Sequence, residues 1–237
     1  LPDFNPNQRR NITDVNFINR VTKGTYELGS VFKPFTFASA LNEDLIKPET
    51  EFLDLPKSIQ CGKNRIGEYD DKIPSDLTAE QIIIRSGNIG SVRIGQKIGS
   101  EKYKSFLEKI GVLSPIDFDI NEVAPQKNYN FGKCKLATAS YGHGIATTIL
   151  QLAKGYAILS NGGFDVKPTL ILEKNDNSKG TQLLNTGVSD QVVTVLRKIV
   201  NTEEGTAKFA NVPNYEIGGK TGTADKVLNG IYSDDAK

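Results

Sequence analysis

The sequence predicts an α+β fold that is mainly helical, and three observations carry that reading. Several long stretches place apolar residues at helical spacing, short alternating runs are few, and one late segment, YEIGGKTGTA, has strand-like flanks around glycines that weaken an ordinary strand. Residues 1–24, with Pro2, Asn5, Pro6, Asn7 and Asn11, read as an irregular extended lead-in. A helix should then cover residues 34–42, because PFTFASAL has helical periodicity and proline is welcome in a first turn. Ser30 to Lys33 then form the turn that feeds this helix, and Pro34 cannot donate to the Ser30 carbonyl, so that turn must be irregular or tight.

Between Pro48 and Pro74 the pieces SIQC and RIGEY suggest a short hairpin bending at residues 62–64. Thr78 and Gln81 have capping-box spacing ahead of an apolar-periodic helix, and a second helix begins after Asn88, so SGN marks a helix-to-helix corner. Residues 101–111 and 146–160 read as amphipathic helices, the second stopped by SNGG. KPTLILE reads as a strand, SKGTQ as a turn, and SDQVVTVLRKIVN as a helix capped by Ser189. No internal repeat or low-complexity segment interrupts this order.

The chain of 237 residues is 38% hydrophobic and 24% charged, an ordinary globular composition. With 29 Lys and Arg against 28 Asp and Glu, and no basic run interleaved with aromatics, it lacks an electrostatic footprint for nucleic acid. No apolar stretch reaches the roughly 20 residues of a membrane-spanning helix, and the start lacks a signal-peptide pattern. Methionine is absent, even at position 1, so the chain reads as a piece of a longer protein. The two cysteines, Cys61 and Cys134, with a single histidine, do not make a paired-cysteine zinc site, and no metal or cofactor is called for. A disulfide between them and two independent small core residues are both compatible with the sequence.

Three short motifs occur once each, in this order: Ser30-Val-Phe-Lys33, Ser86-Gly-Asn88 and Lys220-Thr221-Gly222. Side chains three apart share one face of a helical turn, which makes Ser30 a candidate nucleophile and Lys33 its candidate base. A lysine of ordinary pKa is neutral in only about one molecule in 2,500 at pH 7, so burial and a neighbouring cation must depress it, and Lys220 can be that cation. Each motif alone is weak: Ser-x-x-Lys is usually helix surface, Ser-Gly-Asn a helix break, Lys-Thr-Gly a turn. Together they match the active-serine set of penicillin-interacting enzymes.

By these motifs, and by the segment SYGHGIATTILQLAKGYAILSNGG, the chain resembles the transpeptidase domain of class B penicillin-binding proteins, of the cell-division type. The family usually has proline where this chain has Leu28 and Ile149, positions that carry no reacting group. The resemblance implies a fragment of a β-lactamase/transpeptidase-like fold over residues 1–237, with the main antiparallel sheet largely missing. The outer strand pairs, a pedestal domain and a membrane anchor would lie outside the chain, which would work at the periplasmic face of the bacterial inner membrane. It also implies roles. Ser86 relays a proton between Lys33 and the leaving amine, and Asn88 holds the Lys33 amine and a substrate amide. Lys220 and Thr221 bind the substrate carboxylate, Gly222 lets the substrate backbone approach, and the N–H groups of Ser30 and Thr223 form the oxyanion hole.

The implied activity is cross-linking of peptidoglycan stem peptides ending in D-Ala-D-Ala, with β-lactams acylating the same serine and membrane proteins of the division complex as partners. A serine β-lactamase or β-lactam-sensing domain uses the same motifs, and a catalytically idle division scaffold is the reading from another class. His143 reads as a loop residue rather than a catalytic one, and GHG lacks the third glycine of a dinucleotide loop. Asp234 and Asp235 are adjacent, point apart, and read as a solvated face.

Without most of a sheet, helices that should cover it expose apolar faces, and any remaining strand offers an unpaired edge. These 237 residues expressed alone are therefore expected to be poorly soluble and to bind penicillin weakly, although they contain every named catalytic residue. Expression beside a version extended at both ends checks this; a well-folded short form with full penicillin acylation would show the missing strands to be dispensable.

Overall fold

The computed structural model describes residue 7 and residues 18–121, 131–171, 179–223, 226–228 and 231–233. Its centre is α1 (Lys33–Asn42), which follows β1 (Thr25–Tyr26) and a 3-10 turn over Gly29–Phe32. Every residue of α1 from Lys33 to Leu41 is buried, as befits a helix that is apolar on nearly all sides. Phe32, Phe35 and Phe37 have no exposed surface. Phe35 meets Phe32 edge-on at 5.7 Å and Tyr156 at 5.3 Å.

Around α1 pack α2 (Ala79–Ile84), α3 (Asn88–Ile98), α4 (Ser100–Lys109) and α7 (Thr186–Asn201). Among the described residues the strands are short and pair in twos, all antiparallel. Strand β2 (Glu51–Phe52) pairs with β5 (Leu77–Thr78), and β3 (Ser58–Cys61) with β4 (Asn64–Gly67). In turn β1 pairs with β6 (Thr147–Thr148), and β7 (Lys226–Leu228) with β8 (Ile231–Ser233). The mainly helical α+β class with little sheet is thus observed. So are the hairpin, which bends at Gly62 with φ of 61°, and the capping box in which Thr78 accepts from Gln81 N and Gln81 from Thr78 N.

The structure differs from the sequence reading in several places. The helix placed over residues 146–160 begins at Ile149, as α6 (Ile149–Ser160), because Thr147 and Thr148 first pair with β1, and Thr148 then forms a second capping box with Gln151. Ile149, where the family usually has proline, therefore occupies the first helical position, where proline would lose no hydrogen bond. Asn185, not Ser189, caps α7; Ser189 lies a turn inside and donates to Leu159 O at 2.8 Å. The segment read as a strand from KPTLILE forms none over its described residues. Asp119 instead accepts from Thr169 Oγ1 and Leu170 N, leaving Leu170 and Ile171 exposed. Helix α5 (Lys133–Ala139) had no sequence forecast. Asp234, Asp235 and most of residues 1–17 lie outside the described residues.

YEIGGKTGTA carries no strand pairing over residues 215–223. With no strand alongside, its backbone bonds to α7: Gly219 N donates to Leu196 O at 3.1 Å and Arg197 Nη1 to Ile217 O at 2.9 Å.

Truncating the ring at the centre of this core should cost about 3–5 kcal/mol, so Phe35→Ala in the complete protein is expected to lower the denaturation midpoint sharply. A loss below about 1 kcal/mol in chemical denaturation would show that α1 is less tightly held than its burial implies.

Candidate active site

The first motif lies where the 3-10 turn runs into α1. Gly29 takes φ of 57°, Lys33 N donates to Ser30 O, and Tyr156 OH of α6 donates to Val31 O at 2.8 Å. Pro34 stands in the first turn of α1, so the tight turn expected from the sequence is a 3-10 turn. Ser30 sits in the opening turn, where backbone N–H groups lack intrahelical acceptors.

The second motif is the corner between α2 and α3. Ser86 adopts φ of 59°, unusual for a residue with a side chain, and Ser86 N and Gly87 N bond back to Ile83 O and Ile82 O. This kink turns both oxygens of Ser86 toward the Lys33 amine. Lys33 Nζ donates to Ser86 O, lies 3.1 Å from Ser86 Oγ, and donates to Asn88 Oδ1 at 2.8 Å. Ser30 Oγ is not among its hydrogen-bond partners, so the proton sharing expected from the three-residue spacing is not a direct bond here. Three acceptors of the second motif hold the amine instead.

The third motif closes the same space. Lys220 Nζ donates to Ser86 Oγ at 2.8 Å and to Thr221 O at 3.0 Å, and the Thr221 hydroxyl lies 2.9 Å from that of Thr206. A Cβ on Gly222 would come within 2.7 Å of Val31 Cγ1 and 2.9 Å of Leu28 O. The close approach that Gly222 permits is therefore to the first motif itself. Gly142 does the same from the opposite wall, with φ of 89° and its missing Cβ overlapping Gly29 O.

Burial pushes the Lys33 amine well below its usual pKa, with the charge of Lys220 adding to the effect and Glu68 opposing it. Burial likewise pushes Lys220 down to about 7. Lys33 in its neutral form has two hydrogens, which suit the two carbonyl oxygens of Ser86 and Asn88, and this leaves a lone pair to meet a hydroxyl.

Ser30, Ser86, Asn88, Thr221 and Thr223 all open on one cavity of about 690 Å³. Its remaining lining is Tyr69, Tyr141, His143 and Thr206. His143, read as a loop residue, does lie in a loop, yet its ring packs against Tyr141 at 4.9 Å on the cavity wall. No sequence signal marks Tyr69 or Thr206. Glu68 was also missed: its carboxylate accepts from Asn88 N at 2.6 Å and Ile89 N at 2.9 Å, while Asn88 Nδ2 donates to Gly67 O. Of the two alternatives for the cysteines, the disulfide is the one formed; Cys61 of β3 is bonded to Cys134 of α5.

A half-buried serine lies beside a fully buried lysine, and a second serine bridges that lysine to a second one, so hydroxyls and amines able to exchange protons are gathered in one place. The chain belongs to the family described as penicillin binding protein transpeptidase domain, whose profile matches residues 1–236. It is 28% identical over 229 residues to a probable peptidoglycan D,D-transpeptidase FtsI of Caulobacter vibrioides, covering 95% of this chain and 38% of that protein. It is 29% identical over 269 residues to a peptidoglycan D,D-transpeptidase FtsI homolog of Mesostigma viride, covering 95% of this chain and 43% of that one. The chain thus spans about two fifths of the length of these relatives. Its fold superposes on the apo transpeptidase domain of Burkholderia pseudomallei penicillin-binding protein 3 with a TM-score of 0.84, at 28% identity over 92% of this chain and 66% of that one. A peptidoglycan glycosyltransferase from Burkholderia ambifaria gives 0.82 at 28% identity, over 89% and 67% of the two chains.

The charge of Lys220 disfavours a proton on Lys33, so removing it should raise the Lys33 pKa and move the acid limb of the acylation expected at Ser30 to higher pH. Lys220→Met in the complete protein, assayed with a β-lactam across pH, checks the sign; a limb moving to lower pH would contradict the coupling.

Proposed function

We propose that the complete protein is an acyl-serine D,D-transpeptidase that cross-links peptidoglycan stem peptides and is a target of β-lactams. The observation that carries this reading is the convergence of all three motifs on one cavity, with the depressed Lys33 amine behind Ser86 and Asn88. Ser30 Oγ attacks the carbonyl of the penultimate D-alanine of a donor stem while its proton passes to the lone pair of Lys33. The N–H groups of Ser30 and Thr223 stabilise the oxyanion. Ser86, in contact with both amines, hands the proton to the departing D-alanine nitrogen, and Thr221 with Lys220 holds the terminal carboxylate. An amine of a neighbouring stem then attacks the acyl-enzyme, releasing Ser30 and forming the cross-link. A β-lactam enters as the donor does but keeps its leaving group tethered.

The names of the relatives support work on peptidoglycan; from the resemblance of the motifs we further propose a role in division, with membrane proteins of the division complex as partners, at the periplasmic face of the inner membrane. No helix among the described residues is long and apolar enough to cross a membrane. On this reading residues 1–237 are part of a transpeptidase domain whose outer strand pairs, pedestal and anchor belong to the rest of the protein.

In the complete protein Ser30→Ala should abolish covalent labelling by a fluorescent penicillin, and Lys33→Ala should slow it by about 100- to 10,000-fold. Labelling that survives Ser30→Ala overturns the assignment. Rapid turnover of the penicilloyl adduct would instead identify a β-lactamase, and an unlabelled wild-type protein would favour a non-catalytic scaffold.

A further inference from the structure

We infer that Glu68 is the positioning residue of the second motif: its carboxylate fixes Asn88, and through Asn88 it holds the Lys33 amine ready for the reaction. This rests on the acyl-serine reading above. Helix α3 begins at Asn88 behind Gly87, which has no side chain to cap it, so the first N–H groups of an eleven-residue helix need an acceptor from elsewhere. Glu68 supplies one to each of two, Asn88 N at 2.6 Å through Oε2 and Ile89 N at 2.9 Å through Oε1. The preceding residue adds a third hold, since Gly67 O accepts from Asn88 Nδ2 at 2.9 Å. With its Nδ2 committed to Gly67, the Asn88 amide can turn only its oxygen toward Lys33, the orientation that accepts at 2.8 Å. The end of one hairpin strand therefore sets both the main chain and the side chain of the residue that anchors the amine.

Glu68 is itself tied to the hairpin, its N–H donating to Lys57 O at 3.0 Å. The charged groups that act on Lys33 are Lys220, which disfavours its proton, and Glu68, which favours it. Farther out, Asp70 and Arg85 flank the neighbouring Tyr69, and Arg85 pairs with Glu204 at 2.8 Å. Glu68 thus has a geometric effect, through Asn88, and an electrostatic one of opposite sign to that of Lys220. A helix cap alone would have neither consequence for the reaction.

The two can be separated in the complete protein by measuring the second-order rate of Ser30 acylation by a fluorescent penicillin across pH, together with the thermal midpoint. Glu68→Gln removes the charge and can accept only one of the two N–H groups. It should slow acylation by about ten- to a hundredfold and shift the acid limb to lower pH, because the protonated Lys33 loses its stabilising carboxylate. Glu68→Asp keeps the charge with a shorter reach; it should leave the limb in place and slow the rate less. If Glu68→Gln lowers the midpoint yet keeps the wild-type rate and limb, Glu68 is a cap and the inference fails. Should Glu68→Gln not fold, Glu68→Asp decides: a slower rate at an unchanged limb supports the role, and a wild-type rate overturns it. A wild-type protein that is not labelled at Ser30 overturns the acyl-serine reading and this inference with it, whereas labelled wild type with a normal Glu68→Gln overturns the inference alone.

Discussion

An amine with no exposed surface must give every hydrogen it keeps to an acceptor, and Lys33 meets that demand entirely from the corner between α2 and α3. This single requirement organises the site. Ser86 must kink into the left-handed region to offer its carbonyl and hydroxyl together, at a strain of about 1–3 kcal/mol. Asn88 must present its oxygen, so its amide hydrogens are committed to β4. Lys220 reaches the same Ser86 hydroxyl from the other side, and its charge adds to burial in disfavouring a proton on Lys33.

Such a network holds its geometry only on a rigid support, and α1 is one. It is buried from Lys33 to Leu41, and its one deep hydroxyl pairing, Thr36 with Tyr103 OH and Ser140 O, ties the helix to α4 and to the end of α5. Ser140 leads directly into Tyr141 and His143 on the cavity wall. The helix that carries Lys33 and follows the Ser30 turn, and the loop over Tyr141 and His143, are therefore braced by the same buried hydrogen bonds.

The disulfide joins the two walls by a second route. Cys61 ends β3, whose partner β4 leads into Glu68 and Tyr69; Cys134 lies in α5, which leads into Tyr141 and His143. Two segments that line one cavity, one through Tyr69 and one through Tyr141 and His143, are thus tied together by a covalent link between the elements that precede them. The glycines complete the closure, since Gly142 and Gly222 approach the first motif from two sides at distances no side chain would tolerate.

Much of this was legible along the chain because it is local. The 3-10 entry before Pro34, the Thr78–Gln81 capping box, the corner at Ser86 and the hairpin over Ser58–Gly67 each follow from residues within a few positions of one another. The three motifs were legible for the same reason, as each spans only three or four residues. What depended on distant residues was not legible. Thr147 and Thr148 delay α6 because β1 pairs with them, and Ser189 is drawn away from capping by Leu159 O. Cys61 and Cys134, 73 residues apart, could be read as a pair or as two core residues until folding brought their Cα atoms to 5.5 Å. Glu68 sits 20 residues before Asn88 with nothing in its neighbourhood to mark it. Local hydrogen bonding and steric limits are written in consecutive residues; which acceptor a buried amine or an uncapped helix end finds is settled only when packing has excluded water and brought one particular oxygen within reach.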